Sequence, residues 1–190
     1  VNRRLLFAGI LVCLLVLLAI FGSAIAPYNP YEVNMAQAHL EPSLEHWLGT
    51  DNLGRDELSR IMCGMAPSLS TAAIVVLCSL VIGGLLGLVA GFFGGIADRI
   101  VMWFVTTFRT FPSFLLAIVV TGLFGAGLGN ACIALIFVYW ITFARLARGL
   151  AMQTCEENYV HAARLSGNTV PGLLARHILP VIAPQLLVTA

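Results

Sequence analysis

Glu157-Asn-Tyr-Val-His-Ala-Ala-Arg-Leu-Ser-Gly167, followed by Arg176-His-Ile-Leu-Pro180, is a polar, helix-forming stretch between two apolar runs of membrane type. A soluble-looking helix in so short a gap belongs at a membrane surface, touching something outside the lipid. Thr154 with Glu157 three residues later has the form of a capping box, and Glu156 and Glu157 suit the positive end of a helix dipole. Gly167 can take the left-handed conformation that closes a helix. Asn168 or Thr169 then caps a second short helix with Pro171 in its first turn, and Pro180 opens the next apolar run.

Working outward, composition sets the class. Hydrophobic residues make up 59% of the 190 residues, charged ones 10%, and mean hydropathy is +0.95, which excludes a soluble domain. No Lys occurs anywhere, so a Walker A phosphate loop is impossible in this chain. A net charge of +1 argues against nucleic acid and against a polybasic lipid-binding patch.

Spans are predicted at Leu5–Ala26, Leu69–Phe93, Ile100–Phe124 and Ala131–Leu146, the last extending to about residue 148. A fifth begins at Val181 and reaches only Ala190, so the sequence is expected to stop inside a membrane helix. Three regions result: an N-terminal helix over 1–26, an external loop over 27–67, and a helical core over 68–190 that includes the polar loop 151–180. Arginine placement orients them. With Arg3 and Arg4 inside, alternating crossings put Arg99, Arg145, Arg148, Arg164 and Arg176 inside too, and leave Arg55 and Arg60 outside. The polar loop then lies in the cytoplasm.

Ala162-Ala163, three residues, Gly167, nine residues, then His177-Ile-Leu179-Pro180 resembles the cytoplasmic signature loop of bacterial ABC importer permeases. The ending resembles the dipeptide, oligopeptide and nickel branch, although His161 stands where the wider pattern has Glu. The external stretch His46-Trp-Leu-Gly-Thr-Asp-Asn-Leu-Gly-Arg-Asp-Glu-Leu-Ser-Arg60 resembles the same branch. The resemblance covers about Pro27 to Pro180.

It implies an all-α, multi-pass helical bundle of the bacterial inner membrane, N-terminus inside, that moves peptides or nickel from a binding protein to the cytoplasm. It also implies a second homologous permease, two ATPases that hydrolyse the ATP, and an extracytoplasmic binding protein as partners. The chain itself would be no enzyme and need no cofactor. The loop residues Glu157, Ala162, Ala163, Gly167, His177, Leu179 and Pro180 would couple to the ATPase. Against this stands a plain connector. At the level of the whole protein, a truncated non-transporting remnant, a scaffold or an intramembrane enzyme are the rivals.

Bottom-up, Gly49 to Gly54 reads as a tight polar turn, after which Asp56 caps a short amphipathic helix bearing Leu58, Ile61 and Met62. Trp47 suits a membrane interface. Trp47, Gly49, Asp51, Gly54, Arg55 and Asp56 are candidates for a vestibule facing a binding protein; a structural turn holding the second span is the other reading. Gly83, Gly87, Gly91 and Gly95 form a small-residue stripe, either a mobile seam or static packing.

Arg109 is predicted about nine residues into an apolar span, costing about 2.5–3.5 kcal/mol on insertion scales, so it should face a pathway, a partner subunit or, by snorkelling, the membrane surface. Trp103 and Thr106 stand where the branch has an Arg and an Asp, so a membrane ion pair reads as lost. Pro112 reads as a kink. His39, His46, His161 and His177 have no metal-ligand spacing, and the five cysteines suggest no disulfide. No metal site is expected.

Overall fold

A computed structural model describes residues 3–125 and 127–190. The chain divides into two compact units, Val1–Ala72 and Ala73–Ala190.

In the first unit, α1 (Arg3–Ile25) is apolar on all sides and has a single buried residue, Gly22. A side chain there would come within 2.5 Å of the Met62 carbonyl, so glycine is what lets α1 touch the next helix. At 23 residues α1 is about 34 Å long, enough to cross a hydrocarbon core of about 30 Å. The segment between the helices has almost no regular structure: a 3₁₀ turn at Met35–Gln37 and one isolated bridge between Thr50 and Asp56. Side chains hold it instead.

The second helix, α2, runs unbroken over Glu57–Phe93, with Pro67 inside it. This corrects the expectation of a short external helix and a separate span from Leu69. A proline removes one backbone bond and crowds the preceding turn. No second stop signal accompanies Pro67, and one lost bond does not end an otherwise strong apolar helix.

In the second unit, α2 packs along α5 (Leu128–Cys155), which starts before the expected Ala131 and runs well beyond Leu146. Gly83 lies against Trp140 and Ala144, Gly87 against Ala144 and Ala147, and Gly91 against Arg148 and Ala151. The numbers rise together, so the two helices are parallel. Backbone contact replaces side-chain interdigitation along the seam, as small residues permit in membrane helices. Gly95 is not part of it: it has φ +52 at the start of the next helix and open space around it. The expected four-glycine stripe is therefore a three-glycine seam.

Between two parallel helices the chain must return. It does so through α3 (Gly95–Thr110) and α4 (Ser113–Phe124), bent by 90° at the break. Pro112 ends the helix rather than kinking it, because Phe111 before it is extended (φ −82, ψ 132), as the residue before a proline prefers. Val105, Trp140, Ile141 and Ala144 form the core under α3.

The last run is also longer than expected. It begins at Val170, not Val181, as α7 (Val170–Leu173), a π turn at Leu174–Ile178, and α8 (Leu179–Thr189). Pro180 lies inside this continuous run, directly after the π turn. The wider turn before it, closed by the Leu179 N–H to the Leu174 carbonyl, absorbs the ring without ending the helix. Ile178, Ile182 and Leu186 join Leu88, Ala147 and Ala151 in the main core.

Among the described residues four helices are long and apolar enough to cross a membrane, and the bent α3–α4 pair makes a possible fifth span.

Candidate functional site: a surface loop held by one buried anchor

The polar loop forms α6 (Asn158–Leu165), and its start corrects one expectation. Thr154 caps nothing: it is buried in the last turn of α5, its hydroxyl donating to the Leu150 carbonyl at 2.8 Å. Ala144 to Gln153 are mostly good helix formers and carry α5 past the point where a new helix was expected. Glu157 is the cap residue by backbone (φ −71, ψ 138), without a side-chain capping bond.

The end of α6 follows the expectation closely. Gly167 is left-handed, at φ +80. Its N–H donates to the Arg164 carbonyl at 3.2 Å, and the Asn168 N–H donates to the Ala163 carbonyl at 3.3 Å. Those two bonds together are a Schellman motif. The Asn168 side chain adds a second donor to Ala163 at 2.9 Å. Thr169 is then the cap position of α7, with Pro171 in its first turn.

Val160 is the one buried residue of α6, fully enclosed, while Leu165 is 90% exposed. Glu157, Ala162 and Gly167 are exposed, and Ala163 is half-buried. The helix is tied down at few points: Val160, the Tyr159 hydroxyl to the His177 carbonyl at 3.4 Å, and the Arg164 guanidinium 5.8 Å over the Phe92 ring. His177 is half-buried, and Leu179 and Pro180 are exposed at the start of α8. The arrangement offers no nucleophile or acid–base pair. What it offers is a short helix with Ala162 on its exposed face and an uncovered leucine at its end.

The external candidates fall into two kinds. Trp47 is 70% exposed, whereas Gly49, Asp51, Gly54 and Asp56 are buried. Asp51 accepts the Leu53 and Arg55 N–H groups at 2.8 and 3.0 Å, the Arg55 guanidinium at 2.8 Å, and a bond from Arg60. Hydrogen bonding from Arg55, against the pull of burial, holds its carboxyl far below the usual carboxylate range. Asp56 caps α2 through the Ser59 N–H at 2.8 Å and takes the Ser59 hydroxyl at 2.7 Å. Burial pushes its pKa up, but the Ser59 bonds and His46 outweigh that and hold it low. Gly49 and Gly54 are left-handed (φ +80 and +73) with neighbouring backbone where a side chain would be. These four residues build the turn.

Arg109 also departs from expectation. It is exposed in the last turn of α3, beside the break, not in the middle of a continuous span. There the unpaired carbonyls of the helix end favour a cation.

Two pairings escaped the sequence. His46 is buried with Nδ1 3.0 Å from Asp56. Asp98 of α3 binds Arg148 of α5, with Arg148 Nη2 donating to Asp98 Oδ2 at 2.7 Å and Nε to Oδ1. The available signal was that Arg99, next to Asp98 in sequence, was expected at the same membrane end as Arg148. Among the described residues no three His, Cys, Asp or Glu side chains converge as a metal site.

Residues 83–190 match the family of binding-protein-dependent transport system inner membrane components, and residues 1–42 match the N-terminal transmembrane domain of oligopeptide transport permease C. The chain is 36% identical over 183 residues to a nickel transport system permease of Escherichia coli K12, covering 96% of this chain and 66% of that one. It is 38% identical over 174 residues to a glutathione transport system permease of Pectobacterium atrosepticum (91% and 58%). It is 33% identical over 188 residues to an oligopeptide transport system permease of Bacillus subtilis (99% and 62%). The chain thus spans roughly three-fifths to two-thirds of the length of these relatives. It belongs to the family of binding-protein-dependent transport system inner membrane components, as a multi-pass helical protein of the inner membrane.

Proposed function

We propose that this chain is a translocation subunit of an ATP-driven importer and that α6 is the helix through which ATPase subunits move it. The observation that carries this reading is the contrast between Val160, fully enclosed, and Leu165, 90% exposed, on one eight-residue helix closed by Gly167. A connector has no need of a rigid helix with an uncovered apolar end; a docking surface does.

In this reading Ala162 and Ala163 allow close approach of the ATPase, and Gly167 fixes the angle between α6 and α7. Force on α6 passes through Val160 to α5 and through Tyr159 to the π turn ahead of α8. The glycine seam then transmits it to α2. Two ATPases, a second permease and an external binding protein complete the assembly, and the cargo is a peptide or a nickel complex chosen mainly by the binding protein. Trp47 and Arg55 would lie on the face that meets that protein, with Asp51, Asp56, Gly49 and Gly54 shaping it. Arg109, at the α3–α4 break, would face the translocation path or the second permease.

The test is reconstitution. Liposomes holding the full-length subunit with its second permease and ATPases should take up labelled dipeptide or nickel only with ATP and loaded binding protein. Uptake that needs neither would contradict the proposal.

A further inference from the structure

Where α1 ends, the first unit leaves two adjoining hollows. One of about 490 Å³ is apolar and is walled by Leu18 and Ile25 of α1, Trp47, and Ile61, Met62 and Met65 of α2. The other, of about 320 Å³, is polar, with Glu32, Asn34, Gln37 and His46 on its walls. Tyr28, Glu45 and Asp56 line both, so the two form one groove with a hydrocarbon end and an acidic end.

The apolar end opens onto a helix whose surface is otherwise exposed and apolar throughout, the surface that lipid covers if α1 spans. Leu44, 96% exposed, and Trp47 stand at this end, and Trp is the residue that favours the headgroup level.

The acidic end lacks a cation. Glu32 and Glu45 are exposed and make no ion pair among the described residues. Arg55 and Arg60 are both turned to Asp51. His46 is 6% exposed, spends Nδ1 on Asp56, and makes no bond through its other ring nitrogen among the described residues. Asn34 and Gln37 line the same wall, the Asn34 amide donating to the Gln37 side-chain oxygen at 3.0 Å.

We propose that this groove holds a phosphatidylethanolamine molecule from the leaflet in which α1 ends. An acyl chain fills the hollow beside Leu18, Ile61 and Met65, and the ammonium, with three N–H donors, sits against Glu32 and Glu45 at the rim of the polar hollow. A trimethylammonium head offers no such donors, and a glycerol head carries no positive charge to set against the two carboxylates and its own phosphate. The inference needs only that α1 spans the bilayer; it does not depend on the coupling role of α6.

The test uses the chain purified from membranes in mild detergent and exchanged against palmitoyl-oleoyl lipids differing only in head: phosphatidylethanolamine, phosphatidylcholine and phosphatidylglycerol. Native mass spectrometry counts what stays bound. The proposal expects phosphatidylethanolamine to be retained about tenfold over the other two, a margin of about 1.4 kcal/mol. The double variant Glu32→Gln/Glu45→Gln should erase the preference, and Ile61→Trp should lower retention of all three. Both changes lie on exposed positions, and unchanged helicity confirms the fold. Equal retention of the three lipids, or an undiminished preference in the double variant, would overturn it. Loss of the lipid on assembly with a second permease would also overturn it, marking the groove as a subunit contact.

Discussion

Arg148 of α5 reaches across to Asp98 of α3 with both ends of its guanidinium, and the pair fixes α3 at the same level where Gly91 of α2 meets the Arg148 backbone. One residue therefore joins three helices, through its side chain on one side and its carbonyl on the other. Bidentate geometry makes the contact directional as well as strong.

Removing one partner leaves a charge without its counterpart. Asp98→Ala and Arg148→Ala should each lower stability by about 1–3 kcal/mol, since both side chains keep some solvent contact. The exchange Asp98→Arg/Arg148→Asp should recover part of the loss. Thermal denaturation in detergent gives the numbers; equal loss in the single and exchanged variants would mean the pair is incidental.

The glycine seam makes a steric prediction. At Gly87 an added Cβ would lie 2.9 Å from the Ala147 side chain and closer still to the Ala144 carbonyl, so Gly87→Val should separate α2 from α5 and abolish folded protein. Gly9→Val, where nothing lies within 4 Å, should be tolerated. Yield of monodisperse protein in detergent compares the two.

The turn from Gly49 to Gly54 should resist acid. Asp51 has its carboxyl pKa depressed in the folded state, so its contribution is complete above the ordinary carboxylate value and disappears only as pH falls through the lower folded one. Cysteine placed at Asn52 should therefore stay equally reactive to maleimide-type probes, after correction for thiolate fraction, from neutral pH down to about 4. Asp51→Asn should remove this protection, seen as proteolysis of the segment at all pH values.

The arginine distribution predicts an orientation. With a membrane-impermeant thiol reagent on intact cells, Asn52→Cys should label and Glu157→Cys should not until the membrane is opened. Both positions are exposed. Labelling of both from one side would contradict the placement of the two segments on opposite sides of the membrane.

The helices and the surface loop were legible because their signals are local. Apolar runs set the spans, Gly167 set the end of α6, and Asp56 set the start of α2. Several boundaries failed where a proline met its surroundings, and those of α5 failed because good helix formers carry it past the apolar run. Pro67 and Pro180 look alike in sequence to Pro112, yet only Pro112 breaks a helix. At Pro180 the preceding turn widens, whereas at Pro112 the preceding Phe111 is extended, and local sequence does not record which occurs. Asp98–Arg148 and His46–Asp56 were out of reach for another reason: each depends on the register of segments far apart in the chain. Trp103 and Thr106 suggested that a membrane ion pair was missing, while a pair between two helices lay a turn away.

The claim that α6 is a coupling helix is tested most directly at its closing turn. Gly167 has φ +80 and open space around it, so Gly167→Val introduces backbone strain of about 1–3 kcal/mol without a clash. The angle between α6 and α7 should change while the spans insert normally. Ala162→Trp, on the exposed face, should block close approach without touching the fold. The measurement is co-purification of the ATPase with each variant in the full-length complex, with Glu41→Gln on the external segment as control. The account predicts that both cytoplasmic variants reach the membrane at normal levels and lose the ATPase, while the control keeps it. Full ATPase association in both would reduce α6 to a connector and contradict the account.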